Sequence, residues 1–230
     1  MSAPANRPAT VDRDALLRRL QSCLGPDNLV TREESQRPFE CDALPINRDL
    51  PLAVAIPETV AQAQEVLRAC LELDVPVVAR GAGTGLCAGA MPHPEGVLLV
   101  LTKLDRILEI DPLARSARLQ PGVSNLSISD AAAVHGLYYG PDPSSQVACS
   151  IGGNVASNSG GVHCLKYGLT VHNILAMQVL TVEGDLLELG GDGLDSPGLD
   201  LMELLTGSEG LLGVLTEVTV RLWPRTELAR

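Results

Sequence analysis

The stretch from Leu52 to Ala79 places the tightest constraint on how this chain folds. Leu52-Ala-Val-Ala-Ile56 is an apolar run stopped by Pro57, and Val75–Ala79 is a second such run. Between them Val60, Ala63, Leu67, Cys70 and Leu71 recur at helical spacing. Thr59 and Gln62 stand three apart at the start of that pattern, the arrangement of a capping box, so a helix opens there. Strand, helix and strand in so few residues form a βαβ unit, whose strands run parallel through a right-handed crossover.

The flanking sequence extends this unit. Upstream, Leu16, Leu17, Leu20 and Leu24 predict a helix from Asp12 that Gly25-Pro26 ends. Residues 27–50 carry no clear period and read as an irregular connection. Downstream, strands are expected at Val97–Leu101, Ile107–Ile110 and Ser116–Leu119, and a helix from Ser124 to Val134 closed by Gly136. Further strands follow at Ile174–Val182 and, across the turn Glu183-Gly184-Asp185, at Leu186–Leu189. A short helix at Leu199–Leu205 precedes a long strand at Leu211–Leu222, alternating as Val214, Thr216, Val218, Val220 and Leu222. The order implies an α+β fold of two linked lobes.

Composition bounds the partners. Hydrophobic residues are 45% and charged residues 20% of 230, which describes a folded globular chain with a sizeable core. A formal charge of −11 argues against nucleic acid, whose binders concentrate Lys and Arg, and aromatics at 2% leave little for base stacking. No run approaches the roughly 18 apolar residues of a membrane span, and the N-terminus has no apolar leader core. Six cysteines at 23, 41, 70, 87, 149 and 164 form no CxxC pair and no metal-ligand spacing, so they read as reduced core thiols of a cytoplasmic protein.

Two segments escape helix and strand period. Arg80-Gly-Ala-Gly-Thr-Gly-Leu-Cys-Ala-Gly89 contains Gly83-x-Gly85-x-x-Ala88, a loose dinucleotide fingerprint. A Rossmann site needs a helix opening at that loop, yet Pro92 and Pro94 follow, each costing about 3 kcal/mol in a helix interior. A nicotinamide site is therefore rejected. The glycines fit instead a concave run of backbone N–H groups that binds a phosphate without a helix. The second segment runs from Tyr139 to Gly168, YGPDPSSQVACSIGGNVASNSGGVHCLKYG. A loop of that length inside a compact domain is a functional site or a linker, and its apolar residues and scarce charges argue against a linker. Small residues there let backbone approach a phosphate-bearing cofactor.

Together these motifs form one ordered series: Arg80-Gly-Ala-Gly-Thr-Gly85, Pro141-Asp-Pro-Ser-Ser145, Ser150-Ile-Gly-Gly-Asn154, Asn158-Ser-Gly-Gly161, Tyr167-Gly168 and Thr206-Gly-Ser-Glu-Gly210. The series resembles the FAD-binding (PCMH-type) domain of the vanillyl-alcohol-oxidase-like flavoproteins, and within them the glycolate oxidase D-subunit and D-lactate dehydrogenase branch. The resemblance implies two α+β subdomains, about 48–110 and 111–226, after a lead-in of residues 1–47, with FAD between them. It assigns the backbone of Gly81, Ala82, Gly83, Thr84 and Gly85, with Arg80, to the pyrophosphate. Pro143, Ser144, Ser150, Gly152, Gly153 and Asn154 would line the diphosphate and flavin side. Asn158, Gly160, Gly161, Tyr167 and Gly168 belong to the flavin loop, and Glu209, Gly210, Gly213 and Val214 to the adenosine end.

Further expectations follow from the resemblance. Some relatives attach the flavin through a histidine in the first glycine loop; Thr84 stands in that neighbourhood here, so non-covalent FAD is expected. The implied reaction is oxidation of a small 2-hydroxy acid, glycolate or D-lactate in class, with partner subunits of a glycolate oxidase complex and peripheral membrane attachment through them. Family enzymes continue into a substrate-binding cap domain that this sequence lacks, so it is either a fragment or a stand-alone FAD domain. A non-catalytic FAD-binding subunit and an NADPH-dependent reductase sharing the domain are the alternatives.

No catalytic base and no metal site are assigned. His163 and Lys166 could meet a reduced flavin or a carboxylate, or could serve the loop's backbone. Asp142 is either a partner of Arg80 or ordinary turn chemistry. His135, before Gly136, suits a helix end, and His172 stays open. Cys149 and Cys164 read as small hydrophobes. Glu183, Asp185, Asp192, Asp195 and Asp200 read as a solvated acidic face, without the spacing of an oxygen-ligand site.

Overall fold

A computed structural model describes residues 12–191 and 198–226. Helix α1 (Arg13–Leu24) starts where the Asp12 carboxylate accepts the Ala15 N–H at 3.0 Å and stops at Gly25, whose φ is 78°. Its buried Leu16, Leu20 and Leu24 face helix α3. The stretch expected to be irregular holds a two-residue strand β1 (Leu29–Val30) and a single-turn helix α2 (Glu33–Gln36). A two-residue strand has no period to read, and only its antiparallel pairing with β2 (Ala53–Ala55), Leu29 opposite Ala55, defines it.

Helix α3 (Val60–Glu72) has the expected capping box. The Gln62 N–H donates to Thr59 Oγ1 at 3.2 Å, and the Gln62 side-chain oxygen accepts the Thr59 N–H at 3.3 Å. Thr59→Ala is expected to lower stability by about 1 kcal/mol, measurable as a shift of the urea midpoint at constant m-value. Strand β3 (Val77–Arg80) begins two residues later than its apolar run, and β4 (Val97–Val100) closes the first sheet. The order is β1-β2-β4-β3, with β4 inserted between the two parallel strands of the βαβ unit. No helix follows the glycine loop after β3, in agreement with its prolines.

The second sheet begins with β5 (Ile107–Asp111), antiparallel to β6 (Ser116–Leu119). The change of sheet thus falls between Val100 and Ile107, so the strand at 107–110 pairs in the second sheet although the expected subdomain boundary lies about residue 110. Its partner decides this, because β5 is short and half-buried and carries no sheet label of its own. Helix α4 (Asn125–Ala132) runs through a 3₁₀ turn to Gly136, left-handed at φ 68°, and β7 (Leu137–Tyr139) follows.

The long segment after Tyr139 is not a bare loop. It contains α5 (Ile151–Ser157), capped by Ser150, and a single turn α6 (Cys164–Tyr167). Two glycines in α5 cost about 1 kcal/mol each against alanine, which hides the helix from propensity. Tertiary bonds hold it: the Ile151 N–H donates to the Val123 carbonyl and the Gly152 N–H to the Pro121 carbonyl, both at 2.8 Å.

Strands β8 (Ile174–Leu180) and β9 (Leu186–Gly190) form a hairpin through Gly184, at φ 80°. After α7 (Leu201–Leu205), strand β10 (Val214–Pro224) runs through the sheet, giving the order β5-β6-β10-β8-β9 with β7 paired to its far end. Its expected alternation holds, with Val214, Thr216, Val218, Val220 and Leu222 all buried. The first core comprises α1, α3 and one face of the parallel strands, and Leu180 and Val214 of the second sheet enter it. The second core packs Ile128, Ile151, Met177, Val218 and Leu222.

Among the described residues no helix is long and apolar enough to cross a membrane. The thiols only partly follow expectation: Cys70 and Cys149 are buried, but Cys87 is exposed, because it lies on the glycine loop. Burial pushes the Cys70 thiol up to about 12.

Candidate functional site

The chain leaves β3 into a loop whose donors have no protein acceptor. Among the described residues, no N–H from Gly81 to Cys87 donates to a backbone or side-chain acceptor; Ala88 is the first that does. A side chain on Gly85 would meet open space, while Gly83, at φ 71°, lies directly over the Arg80 guanidinium. Arg80 borders the cleft but is mostly buried beneath the loop. It is 7% exposed, and its Nη1 donates to the carbonyls of Cys41 at 2.8 Å and Ala90 at 3.0 Å. Burial holds its pKa below the usual arginine value. It serves as a buried strut beneath the loop, and Asp142, its proposed partner, pairs elsewhere.

Helix α5 forms the facing wall. A side chain on Gly81 would collide with Ser150 Oγ, so loop and helix touch there. A Cβ on Gly152 would sit 2.7 Å from Pro121 Cβ, whereas one on Gly153 would meet only Ser150 Oγ at 3.4 Å and otherwise open into the cleft. The turn after α7 closes the third side. Gly207 donates to the Val155 carbonyl at 2.9 Å and Glu209 to the Ala156 carbonyl at 2.8 Å, which ties the turn to α5. Gly207, Glu209 and Gly210 all have positive φ, at 85°, 54° and 78°. For Glu209 that is strained backbone of the kind found at ligand clamps.

One cleft gathers Arg80, Gly81, Gly152, Gly153, Glu209, Gly210 and Gly213 over a floor of Leu101, Met177, Val179, Leu205 and Leu215. The first sheet supplies one side and the second sheet the other. Chemically, a loop of free N–H donors that meets an apolar-floored cleft at Gly81 suits a molecule with an anionic middle and a flat apolar end.

The other expected residues lie off this cleft. Ala82, Thr84 and Gly85 remain on the loop. Val214 packs in the first core. Asn154, 2% exposed, accepts from Asn125 at 2.8 Å and braces α5 against α4. Asn158 accepts the Val171 N–H at 3.0 Å and staples the following turn. Pro143 and Ser144 form the turn before α5, with the Pro143 carbonyl accepting from Gln146 at 2.8 Å.

Gly160, Gly161, Tyr167 and Gly168 surround a separate polar and aromatic cluster. A side chain on Gly161 would fall on the Asp142 backbone, and Gly168, at φ 78°, packs on His172. Asp142 Oδ2 meets His163 Nδ1 at 2.6 Å. The Tyr167 ring lies 5.0 Å from Trp223 and 5.8 Å from Tyr138, with Lys166 Nζ 4.9 Å from its centroid. The Tyr138 hydroxyl, then the Lys166 ammonium, holds the Tyr167 hydroxyl below the usual tyrosine range. His172 Nδ1 accepts the Leu169 N–H at 3.0 Å, a backbone-satisfying role. Asp200 caps α7 by accepting the Glu203 N–H at 3.0 Å, while Asp192 and Asp195 lie outside the described residues.

Sequence reasoning missed the floor. Leu101, Pro121, Met177, Val179 and Leu215 read as ordinary strand or turn residues, and nothing in their spacing separates a cleft floor from a core.

The sequence model described as the FAD binding domain matches residues 51–190, more than half of the chain. The chain belongs to the FAD-binding domain family. The glycolate oxidase subunit GlcD of Escherichia coli K12 is 56% identical over 96% of the chain and 44% of its own length. A D-lactate dehydrogenase of Archaeoglobus fulgidus is 38% identical over 75% of the chain and 39% of its own. The chain therefore spans less than half the length of these curated relatives. The p-cresol methylhydroxylase structure superposes with a TM-score of 0.82 over 94% of the chain and 44% of its own, at 22% identity, and so shares the fold.

FAD is the cofactor of this family, and the site fits it: free donors on the loop that leaves the cleft at Gly81 for the diphosphate, room at Gly153, and an apolar floor for a ring.

Proposed function

We propose that this chain forms the FAD-binding part of a dehydrogenase that oxidises a small 2-hydroxy acid of the glycolate or D-lactate class. The observation that carries the reading is the run of unpaired N–H donors from Gly81 to Cys87, which begins at the cleft, in a chain whose relatives are a glycolate oxidase subunit and a D-lactate dehydrogenase. When bound, FAD supplies the acceptor for the hydride on the substrate α-carbon. The chain's residues bind and orient. Gly81–Gly85 hold the diphosphate through backbone, with Arg80 behind them. Gly153 leaves room for close approach. Glu209, Gly210 and Gly213 border the adenosine end. Pro143, Ser144, Gly160, Gly161 and Tyr167 belong to the flavin end, where His163 and Lys166 bring protonatable groups. Ser150, Asn154 and Asn158 act by fixing α5 and its loop.

FAD is held non-covalently, since Thr84 offers no imidazole to the flavin. Acid precipitation is expected to leave the yellow colour in the supernatant; colour retained in the pellet would refute this. The full gene product works with partner subunits of a glycolate oxidase complex, in the cytoplasm or peripherally at the membrane. The reaction is tested by anaerobic addition of glycolate or D-lactate to the purified full-length protein, which is expected to bleach the bound flavin. Bleaching by NADPH alone, with neither acid active, would overturn the assignment.

A further inference from the structure

We propose that Asp42 is a positioning residue that presets the phosphate-binding loop before the cofactor arrives, as the centre of a latch formed by Cys41, Asp42 and Ala43. The proposal rests on the FAD reading above. This segment lies upstream of residues 51–190, the part that matches the family model, yet three contacts from it converge on the loop. Asp42 Oδ2 accepts the Ala88 N–H at 2.9 Å, the Ala43 N–H donates to the Gly85 carbonyl at 3.0 Å, and the Cys41 carbonyl accepts from Arg80 at 2.8 Å. Asp42 is 7% exposed, and its other oxygen accepts the Leu44 N–H at 2.9 Å, which fixes the carboxylate's direction.

The placement of these contacts separates a cofactor role from general stability. They hold Arg80, the Gly85 carbonyl and Ala88, and none of them uses an N–H between Gly81 and Cys87. The latch thus fixes the shape of the donor run while leaving every donor free. Ala88, at φ 65°, adopts a conformation rare for a non-glycine residue, and the charge-assisted bond to Asp42 holds it there. A glycine-rich loop without such ties would lose backbone freedom on binding, and that loss would weaken affinity; a preset loop avoids it.

Asp42→Asn, which puts an amide NH₂ against one of the two N–H donors, is the test. FAD affinity, followed by quenching of flavin fluorescence, is expected to fall at least about tenfold, as loss of preorganisation would give. ADP is expected to weaken by the same factor and adenosine to bind as before, with the cofactor-free chain still unfolding cooperatively at a midpoint a few degrees lower, since one N–H loses its acceptor. Wild-type FAD affinity in the variant, equal weakening of ADP and adenosine, or a variant that does not fold would each overturn the proposal. Amide exchange on the wild-type chain tests it independently. Without cofactor the Ala88 N–H should be protected while those of Gly81–Cys87 exchange freely; a freely exchanging Ala88 refutes the latch. FAD that binds without protecting Gly81–Cys87 would instead defeat the diphosphate assignment itself, and the proposal with it.

Discussion

Gly153→Leu is expected to leave the chain folded while reducing FAD affinity by a factor of roughly 100 or more, about 2.7 kcal/mol. The two effects separate because of where the new side chain goes. Its Cβ meets only Ser150 Oγ, at 3.4 Å, and position 153 lines the cleft. Removing a glycine from a helix interior also gains about 0.5–1 kcal/mol of stability, so the cofactor-free variant should melt at or above the wild type. The neighbouring Gly152→Ala should behave in the opposite sense. Its Cβ would lie 2.7 Å from Pro121 Cβ and 3.0 Å from the Pro121 carbonyl, so stability falls by about 1–3 kcal/mol. Thermal melts and FAD titrations on the two variants check both signs. A Gly153→Leu chain that retains FAD would remove α5 from the cofactor wall.

Deleting residues 1–47 is expected to abolish cooperative folding. Leu16 and Leu20 are fully buried and Leu24 is 4% exposed, all against α3. At about 1.5–3 kcal/mol for each buried leucine, their loss comes to about 5–9 kcal/mol. Domains have about 5–15 kcal/mol in total. The deletion also strips β1 from the edge of β2 and removes the Cys41–Ala43 contacts to the glycine loop. Circular dichroism on a 48–230 chain should show no sharp thermal transition. A fragment melting within a few degrees of the full chain would show that α1 is an accessory.

That second result bears on how much could be read from the residues. The lead-in was expected to carry a helix and then an irregular connection, and the helix is there. Its role as part of the first core was not legible, since Leu16, Leu20 and Leu24 announce an apolar face but not the face that covers it. Asp42 gave no signal at all: its partner Ala88 is 46 residues away, and a lone aspartate in a polar stretch looks solvated. Arg80 stands in the motif series as a cofactor residue; its burial and its bonds to the Cys41 and Ala90 carbonyls, which make it a support for the loop at the cleft edge, depend on partners the series does not show. Asn154 and Asn158 sit in the motif series for the same kind of reason, bracing the loops that carry the cofactor face.

By itself the sequence determined whatever depends on neighbours a few residues apart. The Thr59 and Gln62 capping box, the stop at Gly25, the alternation of β10 and the absence of a helix after the proline-bearing glycine loop all rest on local hydrogen bonds, fixed dihedrals or periodicity. Tertiary structure decided which elements meet. It set β4 between β2 and β3, joined β5 to the second sheet, made a helix of a glycine-containing stretch through carbonyls at Pro121 and Val123, and brought the loop after Arg80 to face Gly153 and Glu209. These are pairings across tens to a hundred residues, selected by burial of whole faces and by donors finding acceptors. A cofactor cleft built from backbone N–H groups, which every residue but proline carries, becomes visible only when the chain shows which of them remain unpaired.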